Sequence, residues 1–460
     1  MRSFLFSFIF FFTACCAFSQ SERTTFSKAE VLADLDYLYT SLQDAHYNVY
    51  AYISENEFRS AYEKVKTSIT KDSLSTLEVI NRFQPLTSAI KNGHTAIEFP
   101  IPQYLAYINA GGTLFPLEIA FENNTTLVRR NWSTNETIEP GAEVISINDI
   151  PVNKILEQIY PHIAAERPYF KQAKLELFTF PRYYWQVFGE APEFEVTLKS
   201  NGELKKHKIA AITALEGYEM KRPDIFYGKR ELSFLNDIPY LIPGNFSGKI
   251  EEYQKFIDSA FSVIKRKNSK KLIIDLRNNG GGEDSFSDYL VSYIADKPFN
   301  WTSKFTLKTS QFLKEDIIKN KDTTDVYWQE ALNRKNGEVY EYEFDKYLPQ
   351  PKEKRFQGDV YLLVNRQSHS QSAVTAAQIQ DYGFATIVGE ETGEYPSLYA
   401  SRYGYQLPKT GIHVNVSKGR IIRINGSTSE KGVIPDIRIK DYLLDEKDEV
   451  LDGLLARLVK

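Results

Sequence analysis

Two stretches of the chain share one hydrophobic pattern, in which a short apolar run passes through a turn into a segment with helical periodicity. In the later stretch, the run at 360–364 has the length of a buried strand, and the apolar positions between 373 and 379 recur at helical spacing. Gly383 follows as a helix-ending residue, and 385–388 resumes a strand. In the earlier stretch, three consecutive glycines separate a strand at 272–276 from the next helix. The pattern predicts two strand-turn-helix units.

The spacing of apolar residues divides the rest of the chain into three regions. Residues 25–100 carry apolar side chains at helical spacing and predict a helical N-terminal domain. Residues 102–215 change to short strands and turns, with one helix at 152–159, and predict a β-rich middle domain. Residues 225–445 contain the two strand-turn-helix units and predict an α/β domain. Within it, 301–356 is charged and aromatic, and is either an insertion that covers the site or a solvated surface excursion.

The first nineteen residues have the pattern of a secretory signal peptide. Arg2 precedes an apolar run at 4–12, and small residues place the predicted cleavage after Ser19. Cleavage there would remove both cysteines, Cys15 and Cys16. The alternative is lipidation of Cys15, which would give the protein a membrane anchor. Under either reading the protein is exported, to the periplasm, the cell envelope or the extracellular space.

The charge composition argues against nucleic acid as a partner. The formal net charge is −4, so no basic surface for nucleic acid is indicated. Aromatic residues make up 14% of the chain, which is sufficient for sizeable apolar cores.

The two turns carry residues suited to acyl transfer. Ser370 stands at the first turn of a predicted helix, where unpaired N–H groups would stabilise negative charge on a substrate oxygen. By itself, however, a serine at a helix start is more commonly only an N-cap. The glycines Gly280–Gly282 let the backbone approach a ligand with free N–H groups. A phosphate loop is the rival explanation, but neither of its glycine motifs is present.

Three segments follow one another along the chain: LIIDLRNNGGG, the VYLLVN to TIVGE stretch, and GVIPDI at 432–437. Together and in this order they resemble one serine peptidase family, that of the C-terminal processing (tail-specific) proteases and the tricorn core protease. The resemblance covers about 235–437 and implies a ClpP/crotonase-like catalytic core, a peptide substrate and no metal or organic cofactor. PGAEVISINDIPV at 140–152 resembles the PDZ-like domain of many members, which grips peptides by β-augmentation; a domain that merely packs against the core is the alternative.

The resemblance implies a histidine as the catalytic base. The tail-specific branch has a lysine in the loop after the GE strand, but 390–397 contains none and Tyr395 stands at its place. Gly93-His94-Thr95 resembles the histidine motif of the tricorn-like branch, so His94 is the predicted base, with a plain turn residue as the alternative. Glu430 is the candidate for orienting His94 or binding the substrate amine, unless it is an ordinary surface carboxylate.

Family spacing places the nucleophile at Ser370, whereas alignment on a Ser-Ala pair would choose Ser372. With Ser370, the N–H of Gln371 joins Gly280 or Gly281 as the oxyanion hole. The family's glutamate after the serine is missing under either alignment. The hypothesis is an exported serine peptidase; the alternatives are a catalytically inactive peptide-binding scaffold of the same fold and an esterase.

Overall fold

The computed structural model describes residues 24–222 and 229–458, so the predicted signal peptide and both cysteines lie outside the described residues. The N-terminal region is helical, as predicted. Its three long helices each begin with a capping box, whose first residue is Ser27, Ser54 or Ser75. The serine hydroxyl accepts the backbone N–H of a glutamate three residues later, and the side chain of that glutamate accepts the backbone N–H of the serine. The elements are β1 (Thr25–Ser27), α1 (Lys28–Ala45), α2 (Glu55–Ser68), β2 (Ser73–Ser75) and α3 (Thr76–Ala89).

These helices share one core with the distant end of the chain. Leu35, Leu38 and Phe83 pack in the same cluster as Leu313 and Val414. The helical region therefore has no core of its own and closes over elements that follow residue 300.

The middle region is an antiparallel sheet with helices on it. The strands run in the order β4-β5-β6-β8-β9, and β7 pairs with β6. The elements are α4 (Ile101–Asn109), β3 (Thr113–Leu114), β4 (Leu117–Glu122), β5 (Thr125–Asn131), β6 (Glu143–Ile147), β7 (Ile150–Pro151), α5 (Val152–Ile159), α6 (Pro168–Phe178), α7 (Phe180–Phe188), β8 (Glu193–Ser200), β9 (Glu203–Ala210), β10 (Ile212–Thr213) and α8 (Ala214–Gly217). The helix predicted at 152–159 is confirmed, whereas α4, α6 and α7 were not predicted.

The C-terminal half contains two sheets. Its elements are β11 (Glu231–Leu235), β12 (Ile238–Ile242), α9 (Ile250–Arg266), β13 (Lys271–Asp275), α10 (Asp284–Ser292), β14 (Lys304–Lys308), α11 (Gln311–Asn320), α12 (Val326–Asn333), β15 (Val339–Glu341), β16 (Asp359–Val364), α13 (Gln371–Tyr382), β17 (Thr386–Gly389), β18 (Leu398–Gln406), β19 (His413–Ile422), β20 (Ile437–Arg438) and α14 (Glu449–Leu458). Both predicted strand-turn-helix units, β13 to α10 and β16 to α13, are confirmed.

The larger sheet is parallel apart from its first strand. Its order is β11-β12-β13-β16-β17-β20, with β11 antiparallel and the others parallel. Helices α9, α10 and α13 pack on one face, and α14 covers the other face through Val450 and Leu454. An apolar layer on both faces explains why these strands are continuous hydrophobic runs.

The segment 301–356 is a structural part of the fold. Its strands β14 and β15 join β18 and β19 in a four-stranded antiparallel sheet, and α11 enters the core shared with the N-terminal helices. This outcome excludes a solvated excursion and places the segment beside the site described below. Over residues 24–222 and 229–458, helices that are both long and apolar enough to cross a membrane are absent.

Candidate active site

The two predicted turns meet at one edge of the parallel sheet. Strands β13 and β16 are direct neighbours, so the turns at their carboxyl ends lie side by side. Asn278 and Asn365 hold them together by two mutual hydrogen bonds of 3.1 and 3.0 Å. In addition, the N–H of His369 donates to the carbonyl of Asn279 at 3.2 Å.

Ser370 occupies the N-terminus of α13 without capping it. Its side chain makes no capping hydrogen bond, and its backbone has φ 54° and ψ −132°. A non-glycine residue in this region of φ/ψ space is strained, and such strain clusters at functional turns. The hydroxyl instead faces His94, with 2.9 Å between Oγ and Nε2.

His94 lies between Ser370 and a buried carboxylate. Its Nδ1 is 3.1 Å from Oε1 of Glu394, a side chain with no exposed surface. These two atoms are in ion-pair range but do not meet the angular requirement of a hydrogen bond. The other oxygen of Glu394 accepts the backbone N–H of Ser370 at 2.5 Å. Glu394 therefore contacts both members of the Ser370–His94 pair.

A second carboxylate, Glu166, supports the loop that carries His94. It accepts the backbone N–H of Gly93 at 2.6 Å and the side-chain amide of Asn92 at 3.2 Å. Burial, and after it the nearby charge of Glu394, raises the pKa of Glu166. Burial, the largest single effect, opposes ionisation of Glu394, but the combined attraction of His94, His369 and Lys174 outweighs it and lowers the pKa of Glu394. The two carboxyl groups are thus driven toward different protonation states, with Glu394 ionised.

The glycine turn packs directly on the Ser370 turn. A Cβ on Gly281 would stand 2.6 Å from the backbone nitrogen of Gln371, so only glycine fits there, and φ is +85°. The N–H of Gly281 already donates to the side chain of Asn279 at 2.8 Å, whereas that of Gly280 has only a long contact of 3.4 Å to Asn245. In the described part of the chain, the N–H of Gln371 has no acceptor.

The sequence match of residues 240–439 to peptidase family S41 spans both turns and the 432–437 segment. These residues are a peptidase family S41 domain. The resemblance of about 235–437 to this peptidase family is thereby confirmed. His94, Glu166 and the middle sheet lie upstream of the S41 domain.

Known proteins similar to this chain include a curated protease and solved structures. A tail-specific protease of Haemophilus influenzae is 26% identical over 224 residues, which are 46% of this chain and 26% of that protein. The match therefore spans about a quarter of the length of this curated relative. Mature CPAF complexed with lactacystin has a TM-score of 0.66 at 16% identity, covering 94% of this chain and 97% of that one. Mature CPAF alone gives 0.63 at 15% identity, covering 94% and 96%. At these identities the likeness shows a shared mixed α/β fold, as predicted.

Within the S41 domain, two sequence candidates have no hydrogen bond or ion pair with Ser370 or His94 among the described residues. Glu430 is exposed, and Glu394 rather than Glu430 is the carboxylate beside His94. Ser372 is fully buried, and its hydroxyl has no hydrogen-bond partner among the described residues. Glu394 was missed, although it stands in the 390–397 loop directly before Tyr395, the position at which the family lysine was sought.

The site opens into a cleft of about 1270 Å3. Ser370, His94 and Gly280 lie on its wall, and the S41 domain adds an aromatic wall from the 301–356 segment: Trp301, Phe305, Tyr327, Trp328 and Phe344. Val374, one helical turn after Ser370, packs in the same apolar cluster as Trp301 and Phe305. The cleft is large enough for several residues of an extended peptide.

A buried ionic junction joins the Ser370 turn to the middle region. Arg366 donates to Glu176 of α6 at 2.7 Å, and approaches Glu122 of β4 at 3.4 Å and Glu390 at 3.1 Å. The amide of Gln367 also donates to Glu176, at 2.9 Å. Because Arg366 and Gln367 lead into Ser370, carboxylates of the middle region hold the turn that carries Ser370.

Proposed function

We propose that this chain is a serine peptidase in which Ser370 is the nucleophile and His94 is the base. The carrying observation is the 2.9 Å contact between Nε2 of His94 and Oγ of Ser370, with Glu394 behind the imidazole. A serine hydroxyl needs a base within hydrogen-bond reach, and a third group that orients the base completes the arrangement. Membership of the S41 family supports peptide bonds as the substrate.

The reaction follows from these positions. Ser370 Oγ attacks the carbonyl carbon as its proton passes to His94 Nε2, and the carbonyl oxygen becomes an oxyanion. Glu394 holds the Nδ1–H side of the ring and stabilises the imidazolium. When the tetrahedral intermediate collapses, the amine leaves with the proton from Nε2, and the acyl group stays on Ser370. Water then attacks the ester as His94 takes its proton, which returns to Ser370 when the acid leaves.

The oxyanion hole is assigned to the N–H groups of Gln371 and Gly280. Gln371 begins α13, where an N–H points out of the helix without an intrahelical acceptor. Gly280 is preferred over Gly281, whose N–H is held by Asn279. The N–H of Ser370 does not contribute because it donates to Glu394.

The deciding experiment is labelling of the purified protein with a fluorophosphonate probe, followed by peptide mapping and by assays with a peptide and a simple ester. The expected result is labelling at Ser370 that is lost in Ser370→Ala and His94→Ala and retained in Ser372→Ala, with turnover of the peptide. Labelling at Ser372 would overturn the assignment of the nucleophile. Labelling with ester turnover alone would indicate an esterase, and a folded protein without labelling would indicate a binding scaffold.

Export is part of the same proposal and rests on the sequence of residues 1–19. The apolar run at 4–12 and the small residues before position 20 support cleavage after Ser19. Intact-mass analysis of the protein from a secreting host should give a chain that begins at Gln20. A lipid-modified chain that begins at Cys15 would replace this assignment with membrane anchoring.

A further inference from the structure

A lysine is buried in the wall of the cleft. Lys418 of β19 is 3% exposed and belongs to the lining of the same cleft as Ser370 and His94. Burial of an ammonium group is costly unless a partner compensates its charge, so lysine is seldom found in such a position.

The partners of Lys418 are neutral. Its Nζ donates to the hydroxyl of Ser401 at 2.6 Å and to the carbonyl of Ser401 at 3.1 Å. Among the described residues, no carboxylate oxygen lies within 4.0 Å of Nζ. An ammonium has three N–H donors, so the one that Ser401 does not occupy is available to a ligand.

The backbone of Ser401 is in an unusual conformation at this contact. Its φ is +58°, which is rare for a residue other than glycine, and it interrupts the pairing of β18 with β19 between Ala400 and Arg402. A strained residue in the wall of a cleft indicates a site that the fold maintains at a cost in stability.

Other charged groups near Lys418 determine which class of ligand can bind beside it in the cleft. The Nζ atom is 5.2 Å from the ring centre of Trp328, and Lys321 approaches the same ring at 5.5 Å. The cations of Lys418 and Lys321 therefore share one indole at the cleft. Asp284 lies on the glycine-turn side, and burial raises its pKa, which reduces the competition of its carboxylate for Lys418.

We propose that Lys418 forms a subsite that binds a carboxylate of the substrate, between the indole of Trp328 and the backbone of Ser401. The carboxylate can belong to an acidic side chain or to the C-terminus of the peptide. Lys418 supplies its third N–H and its charge, and Lys321 adds a second positive charge. Burial and the charge of Lys321 lower the pKa of Lys418 to about 7, which fits a lysine that becomes fully protonated when an anion binds. This subsite deepens the proposed peptidase function and rests on the assignment of the cleft as the substrate site.

The test measures binding to Ser370→Ala, which holds peptides without turning them over. Quenched peptides are compared in pairs that differ by Glu against Gln at one position, and in pairs that end in a free acid or an amide. In one of these pairs, the peptide that carries the carboxylate should bind at least about tenfold more tightly than the matched neutral peptide. The same ratio in kcat/KM is measured with the unsubstituted enzyme. The Glu/Gln pairs detect a side-chain carboxylate, and the acid/amide pairs detect the terminal one.

The decisive variant is Lys418→Met in the Ser370→Ala background, where the acid-to-neutral ratio should fall to near one. Lys308→Met is the matched control: Lys308 lies on β14 of the same sheet and donates to the carbonyls of Gln43 and His46, at 3.1 and 3.2 Å, outside the cleft lining. If Lys418→Met does not fold, Lys321→Met, an exposed change, should reduce the ratio about twofold to fivefold. A ratio near one before substitution, or one that survives Lys418→Met or Lys321→Met, overturns the subsite.

The peptidase and the subsite can fail separately. Hydrolysis at Ser370 without preference for an acid would remove the subsite and leave the peptidase. Lys418-dependent binding of acids, in a protein that hydrolyses none of the peptides, would remove the peptidase and leave the subsite.

Discussion

Glu394 places one carboxylate oxygen 3.1 Å from Nδ1 of His94. Its other oxygen accepts the N–H of Ser370, so a single side chain fixes both the imidazole and the backbone of the serine. An amide has only one acceptor oxygen and cannot serve both contacts. Glu394→Gln should therefore lower kcat on the order of 10⁴-fold, by analogy with the carboxylate-to-amide change in a Ser-His-Asp triad.

The matched control for Glu394 is Glu430→Gln. Glu430 is the exposed carboxylate that the sequence suggested for orienting His94, whereas the carboxylate beside His94 in the structure is Glu394. Rates of peptide hydrolysis and of fluorophosphonate labelling should stay close to those of the unsubstituted enzyme in Glu430→Gln. If Glu430→Gln were the variant that loses activity, Glu394 would not be the orienting group.

Glu166 gives a prediction in which pH is the variable. Because burial and Glu394 raise its pKa in the folded protein, the folded state binds more protons than the unfolded state above the ordinary pKa of a glutamate. Glu166 therefore lowers stability as pH rises through that window. Glu166→Gln keeps an acceptor for the N–H of Gly93 without a titrating group. The urea midpoint of Glu166→Gln should fall less with pH than that of the parent.

The control for this prediction is Glu166→Ala. Alanine leaves the N–H of Gly93 without an acceptor and frees the loop that carries His94. Glu166→Ala should lose most of the fluorophosphonate labelling rate, whereas Glu166→Gln should keep it. Equal losses in both variants would mean that the carboxylate charge itself matters to the reaction.

Two glycines with the same φ allow the effect of backbone strain to be distinguished from the effect of a steric contact. Gly281 and Gly111 both have φ +85°, but a Cβ on Gly111 would meet nothing within 4 Å, whereas one on Gly281 would stand 2.6 Å from Gln371 N. Gly111→Ala should cost about 1 kcal/mol of stability and leave labelling of Ser370 intact. Gly281→Ala should also displace the Ser370 turn and reduce the labelling rate at least about tenfold.

The outcome for Gly281 is read from thermal unfolding and labelling measured on the same samples. If both alanine variants lose stability equally and Gly281→Ala still labels at the parent rate, the close approach of the two turns would have no part in the reaction.

The sequence was most informative where the pattern is local and strong. Strands β13 and β16 are apolar runs, each followed along the chain by a turn and a helix, and both turns were predicted at the right residues. The proximity of His94 and Ser370, 276 positions apart, was accessible only through the family resemblance. Periodicity carries no information about contacts at such separation.

Elsewhere tertiary contacts decided the structure. Helices α6 and α7 are rich in aromatic residues, which favour strands, and their start signals are the prolines Pro168 and Pro181. Glu394 was missed because its role depends on the folding of its loop, where Thr392 donates to its carbonyl at 3.0 Å. A carboxylate in a polar loop gives no sequence signal that distinguishes it from a solvated one.

The junction between Arg366 and Glu176 should be important for stability. Both side chains are buried, so Glu176→Gln leaves a guanidinium charge in the interior without full compensation. The expected cost is about 3 kcal/mol in the free energy of unfolding by urea. The exposed pair Lys154–Glu157 is the matched control, and Glu157→Gln should cost less than about 1 kcal/mol. Similar costs in the two variants would contradict a role for burial.

Lys418 makes a stability prediction that is independent of any substrate. Burial and Lys321 lower its pKa from 10.5 to about 7, against the opposing attraction of Asp316 and Asp284. Between these two pH values the unfolded state binds more protons than the folded state, so stability rises with pH; below pH 7 the full cost remains. Lys418→Met removes this cost. It should stabilise the protein on the order of 2 kcal/mol at pH 6, with the gain shrinking toward pH 10. Urea unfolding at both pH values measures this difference. An equal gain at pH 6 and at pH 10 would show that folding does not lower the pKa of Lys418. The gain would then come only from better packing of methionine.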